Sequence, residues 1–142
     1  MKRRTYLAAL GASGVTGLSG CTGLLDAGAP CEGEDCDVGM TGNSFVPRDI
    51  QVEVGETVRW RNTSARAHTV TAYESSLPDG ATFFASGGFE SEDAARDAWG
   101  RGRGGLEGGD TFAHTFEVPG SYQYYCIPHE AAEMIGTVEV VE

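Results

Sequence analysis

The sequence predicts an all-β Greek-key β-sandwich with one short helix in a long loop. Three observations carry this expectation: short runs of alternating apolar and polar residues recur from Asp37 onward, turn residues separate them, and a helical period appears once. Ile50, Val52 and Val54 alternate with Gln51 and Glu53, Gly55-Glu56 makes a turn, and Val58 and Trp60 alternate with Arg59 and Arg61. That pattern reads as a hairpin with one buried face. Further strands are expected over His68 to Ala72, Thr111 to Glu117, Ser121 to Cys126 and Gly136 to Val141, with Pro119-Gly120 turning the penultimate hairpin. The exception is Ser91 to Gly100, where a capping serine, acids in the first turn and a terminal glycine bracket a helix with Ala95 and Trp99 on its buried side. The flanking stretches, 80–88 and 100–109, are too rich in glycine for strands and read as a long surface excursion between two sandwich strands.

At 142 residues the chain has room for one ordinary domain, and no apolar run is long enough to span a bilayer. Residues 1–20 read as an address. Met1-Lys2-Arg3-Arg4 is a basic start, a short glycine-rich apolar stretch follows, and Leu18-Ser19-Gly20 precedes Cys21, the order expected of a twin-arginine export signal ending in a lipid-attachment box. Cleavage before Cys21 frees its amine and thiol for lipid, which would hold the domain at the outer face of the cytoplasmic membrane. Residues 21–36 then form a lipidated tether with a reach of roughly 20 Å if flexible. Within it Cys31 and Cys36 bracket a short acidic loop, whose plain reading in an oxidising compartment is a disulfide, with free thiols or a metal as the alternatives. Residues 37–142 are the folded domain.

Without residues 1–20 the chain has 21 acids against seven arginines and no lysine, a net charge near −14. Such a field repels phosphate backbones, which excludes nucleic acid as a partner despite the Arg101-Gly102-Arg103 run. An acidic, lysine-free surface is also what a salt-loving organism's proteins tend to show, because concentrated salt screens the self-repulsion.

The chemistry concentrates near the end of the domain. Cys126, His129 and Met134 follow a strand at the spacing C-x-x-H-x-x-x-x-M, so one tight loop can aim a thiolate, an imidazole and a thioether at a point. Thiolate and thioether suit Cu(I), imidazole suits both oxidation states, and a three-ligand plane with a weak axial sulfur suits a copper ion that must shuttle between them. Taken singly, Met134 reads as core, Cys126 as a small buried hydrophobe and His129 as a loop residue; the joint spacing overturns those readings. A second histidine is still required. His68 stands just after the loop that closes the 58–62 strand, where a sandwich exposes a side chain beside the final loop, whereas His114 shares strand parity with Phe112 and Phe116 and reads as structural.

These residues resemble the plastocyanin and pseudoazurin group of cupredoxins, and within it most closely the halocyanins, the lipoproteins of haloarchaea. The resemblance rests on Phe45-Val46-Pro47, Val54-Gly55-Glu56-Thr57-Val58, Trp60, Asn62, His68, Gly120, Tyr122, Tyr125-Cys126, Pro128-His129, Met134 and Gly136. It implies a cupredoxin-like sandwich holding one type 1 copper ion, with His68, Cys126 and His129 in the trigonal plane and Met134 as the long axial ligand. It further implies a non-enzymatic carrier of single electrons that serves redox partner proteins at the membrane surface and takes no small-molecule substrate. Electrons would leave by the edge of His129 at an apolar rim of Pro128, Ala131 and Ala132. Two departures stand out: Thr69 replaces the asparagine usual in plastocyanins, and the excursion is larger than theirs. Tyr122 and Tyr124 are expected in the core with Cys126, and Tyr125 on the opposite face, lining a second route for electrons.

Overall fold

The structure is a computed structural model that describes residues 5–6, 31 and 36–142. Apart from Thr5–Tyr6, the leader lies outside the described residues, as do Cys21 and most of the tether.

Two sheets face each other. The first runs in the order β1 (Thr5–Tyr6), β4 (Asp49–Glu53), β9 (Ile135–Val141), β8 (Gly120–Tyr125), β6 (Thr71–Ala72). The second runs β3 (Phe45–Val46), β2 (Val38–Met40), β5 (Thr57–Asn62), β7 (Thr111–Thr115). Alternation sets the inward face of each: Ile50 and Val52 from β4, Val138 and Val140 from β9, and Tyr122 and Tyr124 from β8 close on Val58 and Trp60 from β5. Trp60, with no exposed surface, is the centre of this core, its ring 5.3 Å from Tyr124, 5.7 Å from Phe112 and 6.0 Å from Phe84.

The predicted hairpin over residues 50–61 does not form. β4 pairs in parallel with β9 in one sheet, while β5 pairs in parallel with β2 and antiparallel with β7 in the other. β4 and β5 are therefore not neighbours in either sheet, and the chain passes from one sheet to the other between them. Alternation marks which side of a strand is buried, and two strands that face each other across a core alternate just as two paired strands do. The crossing is made at Gly55, whose φ of +91° needs glycine, and is closed by the Glu56 carboxylate accepting the Glu53 N–H at 2.8 Å. Pro119-Gly120 likewise links β7 to β8 across the two sheets rather than turning a hairpin.

The 80–109 excursion is not wholly on the surface. Phe84, Ala85, Ser86 and Leu106 are buried, and backbone bridges tie Ala85 to Thr71 and Leu106 to His68. Between these anchors lies α1 (Glu92–Gly100), whose N-cap Ser91 accepts the Ala94 N–H at 3.1 Å. Its buried residues are Ala95 and Ala98; Trp99, expected inside, is half-exposed and packs over Gly105. The small residues face inward, α1 packs against β6, and its Glu92 and Arg96 side chains reach Tyr125 of β8.

Gly136 shows how tightly the sandwich is filled beside the site. A Cβ there would stand 2.5 Å from Cζ and Oη of Tyr124 and 2.9 Å from the Arg48 carbonyl oxygen. Gly136→Ala is expected to destabilise the fold by about 1–3 kcal/mol through overpacking, read as a fall in the thermal midpoint.

Candidate metal centre

Each side chain of the centre is held by backbone bonds that run between distant parts of the chain. His68 exchanges two bonds with Leu106, N–H to O at 3.1 Å and O to N–H at 2.7 Å, which pins it to the returning end of the excursion. The loop before it is organised by buried Asn62, whose Nδ2 donates to the carbonyls of Arg66 (2.6 Å) and Leu106 (2.7 Å) while Oδ1 accepts from the Ser64 N–H (2.9 Å) and Oγ (2.8 Å). Ser64 Oγ in turn lies 3.1 Å from His68 Nε2, so the ring is oriented from behind and its Nδ1 points inward.

Cys126 directly follows β8, and the Ile127–Ala132 turn carries His129 back over it. The His129 N–H donates to the Cys126 carbonyl at 3.1 Å, the Met134 N–H to the His129 carbonyl at 3.2 Å, and the Cys126 N–H to the Met134 carbonyl at 3.0 Å. This ring of bonds closes the loop on itself, and Glu133, left-handed at φ 66°, makes the return into β9. The result brings His68 Nδ1 to 3.6 Å and His129 Nδ1 to 3.4 Å from Cys126 Sγ. Ligand atoms of the three residues all lie within 4.8 Å of one another, as donors around a common ion would. His68, Cys126 and Met134 have no exposed surface; His129 is half-buried and presents one edge outward. His114 stands apart, its ring stacked 4.5 Å from Phe84 and edge-on to Phe116.

The electrostatics suit a metal. Burial, then the neighbouring His129, lower the pKa of His68 from 6.5 to about 4, Arg66 adding to the effect and a hydrogen bond to the Thr41 backbone opposing it. Burial and then Arg66 also lower His129. Burial pushes the Cys126 thiol up, against the pull of hydrogen bonds from Thr69 and His129. At neutral pH both imidazoles therefore offer lone pairs, and a cation is what draws the proton off the sulfur. Without metal, His68 makes stability depend on pH. The unfolded chain binds the proton that folded His68 refuses, so between pH 6.5 and about 4 stability falls as pH falls, by on the order of a few kcal/mol, and above 6.5 this group adds no slope. Urea unfolding of the apoprotein at several pH values, beside His68→Gln, reads this contribution as the part of the acid slope that the variant loses.

The family described as copper binding proteins, plastocyanin/azurin family, matches residues 34–141. The chain belongs to that family. It is 31% identical over 120 residues to chloroplastic plastocyanin of Hordeum vulgare, covering 83% of this chain and 69% of that one. Against the plastocyanin of Physcomitrium patens it is 33% identical over 96 residues, covering 68% of this chain and only 49% of the moss protein. A reduced amicyanin variant superposes with a TM-score of 0.54 at 24% identity, covering 80% of this chain and 93% of that one, which shows the shared fold. The cofactor of this cupredoxin is one type 1 copper ion, and the donor set of His68, Cys126 and His129 fits it: two neutral imidazoles and a shielded sulfur around one point.

Sequence reasoning named His68, Cys126 and His129, whose donor atoms the structure brings together, and missed the residues that orient them. Thr69, noted as a departure, contributes its N–H to Cys126 Sγ at 3.4 Å, while its Oγ1 accepts the Ile127 N–H at 2.8 Å and pairs with Thr71. One signal for Ser64 was readable: Asn62-Thr63-Ser64 is a sequence that closes an Asx-turn. Cys31 and Cys36 are bonded to each other, Cα atoms 5.6 Å apart, with Cys36 buried against the domain. Tyr125 does face away from Cys126, yet it has no exposed surface, lying under the Arg96 guanidinium and stacked on Tyr73.

Proposed function

We propose that this cupredoxin is a single-electron carrier held at the outer face of the cytoplasmic membrane. In this reading His68, Cys126 and His129 form the strong plane and Met134 lies along the weak axis. The observation that carries it is the convergence of His68 Nδ1 and His129 Nδ1 on a fully buried Cys126 Sγ. Copper bound there supplies a one-electron Cu(II)/Cu(I) couple. The chain's part is to hold the donors still: the closed bond ring of the 126–134 loop and the Leu106 pairing of His68 keep their geometry the same in both oxidation states. The half-buried edge of His129, beside exposed Pro128, Ala131 and Ala132, is the exit to a redox partner protein. A copper buffer would need ligands open to exchange, and three of these four have no exposed surface. Oxidase or nitrite reductase chemistry would need further histidine-rich copper sites, and the chain has three histidines in all.

Lipid on Cys21 after twin-arginine export supplies the anchor in this proposal, and the acidic composition, lysine-free once residues 1–20 are removed, supports a salt-loving cell of the halocyanin type. The experiment is expression of the full chain in an exporting haloarchaeal host, with fractionation and a visible spectrum in high salt. A membrane-bound blue protein that ascorbate bleaches and ferricyanide restores is expected, with Cys21→Ala releasing it from the membrane. Colour without redox cycling would end the carrier reading, and a Cys21→Ala protein still bound to the membrane would end the lipid reading.

A further inference from the structure

Helix α1 has no counterpart in the reasoning that places the ligands, yet its exposed face is built onto the metal-binding loop. Arg96 donates through Nη1 to Glu130 Oε1 at 3.2 Å and through Nη2 to Glu130 Oε2 at 3.4 Å and Glu92 Oε2 at 3.2 Å. Its guanidinium carbon lies 4.6 Å over the centre of the Tyr125 ring. Beneath it Tyr125 donates to Glu92 Oε2 at 2.8 Å and Tyr73 to Glu130 Oε2 at 2.7 Å, and the two tyrosine rings stack 4.1 Å apart. Glu74 and Glu92 exchange bonds, each backbone N–H donating to the other's carboxylate at 3.0 and 2.9 Å, which fastens the start of α1 to the 74–76 turn. Tyr125 directly precedes Cys126, and Glu130 directly follows His129. One arginine therefore spans both ends of the segment that holds two of the ligands.

We propose that Arg96 is a positioning residue for the copper centre, a clamp by which α1 fixes the 126–130 segment through Glu130 and Tyr125. The inference rests on the ligand assignment proposed above. Arg96 is 40% exposed in its side chain, and an ion pair so open to water adds little to global stability. What it contributes is geometry: a planar fork meets two carboxylates and a ring at once, which a lysine ammonium cannot reproduce.

The test uses the full chain, metal-free and copper-loaded, as Arg96→Gln, Arg96→Lys, Glu130→Gln, Arg96→Gln/Glu130→Gln and a control, Arg101→Gln. The control removes another ion pair of the same helix, Arg101 to Asp97 at 3.3 Å. Amide hydrogen exchange of residues 127–133 in the apoprotein reads the clamp directly, and the spread of the Cu(II) paramagnetic resonance lines reads the uniformity of the site. Arg96→Gln is expected to speed exchange at His129 and Glu133 several-fold and to broaden the lines, with little change in thermal midpoint, while Arg101→Gln does neither. Arg96→Lys restores the charge but not the protection, and the double variant is no worse than Arg96→Gln because Arg96 acts through Glu130. Wild-type exchange in Arg96→Gln, full rescue by lysine, or additive effects in the double variant would each overturn the clamp. A wild-type protein that binds copper but does not cycle would instead remove the carrier reading, and the apoprotein exchange would still judge the clamp.

Discussion

Replacing Cys126 by serine is expected to remove the intense blue absorption altogether while leaving the sandwich folded. Cys126 is the only free cysteine among the described residues, and its sulfur sits where both imidazoles point. A serine hydroxyl is close to isosteric but does not ionise at neutral pH, so the site loses its anionic, polarisable donor and keeps only two neutral nitrogens and, on the proposed assignment, a weak thioether. The Thr69 N–H keeps an oxygen to donate to, so the cost in stability is about 1 kcal/mol or less. Titrating Cys126→Ser with Cu(II) while recording the visible spectrum, alongside thermal unfolding, separates the two effects. Colour that survives in a folded variant would show that the thiolate is not the origin of the band and that the assignment is wrong.

What was legible in the sequence was local. Cys126, His129 and Met134 lie in one loop, and a loop that short confines its side chains to one place whatever the rest of the chain does. His68 was readable because it follows a strand end, and alternation marked Ile50, Val52, Val58 and Trp60 as buried, as they are. Pairing was not readable. The 50–54 and 58–61 runs look like a hairpin and lie in opposite sheets, since alternation records burial and is silent about the neighbour across the backbone ladder. The glycine-rich excursion hid Phe84 and Leu106, which are tied to Ala72 and His68, residues well separated from them in the chain. The same holds for the groups that tune the site: Thr69 reaches Ile127 and Cys126 across more than fifty residues, and Arg96 reaches Glu130 across 34. Ala95 and Trp99, four residues apart, share one side of the helix, but the face that α1 buries is centred on Ala95 and Ala98.

Asn62→Ala is expected to destabilise the fold strongly while leaving every ligand in place. Asn62 has no exposed surface and uses both donors and its acceptor within the loop that delivers His68. Alanine takes away the partner of the Ser64 N–H and one bond from each of the Leu106 and Arg66 carbonyls, which keep the His68 N–H and the Ser64 Oγ, and each bond so lost costs about 1 kcal/mol. Some will find water, since Arg66 and Ser64 lie nearer the surface than Leu106, so the net loss expected is about 3 kcal/mol, a large share of what holds a small domain together. Asn62→Asp should be no better, because a carboxylate would face two carbonyl oxygens in place of the donated amide. Ser64→Ala isolates the functional part of the same network: it removes the Oγ behind His68 Nε2 while leaving both Asn62 amide bonds in place. It should weaken copper binding measurably while costing about 1 kcal/mol of stability or less. Urea unfolding of the three apoproteins and competitive copper titration give the order. If Ser64→Ala proves as destabilising as Asn62→Ala, the loop is held by the serine and not by the asparagine amide, and the path from β5 to His68 must be redrawn.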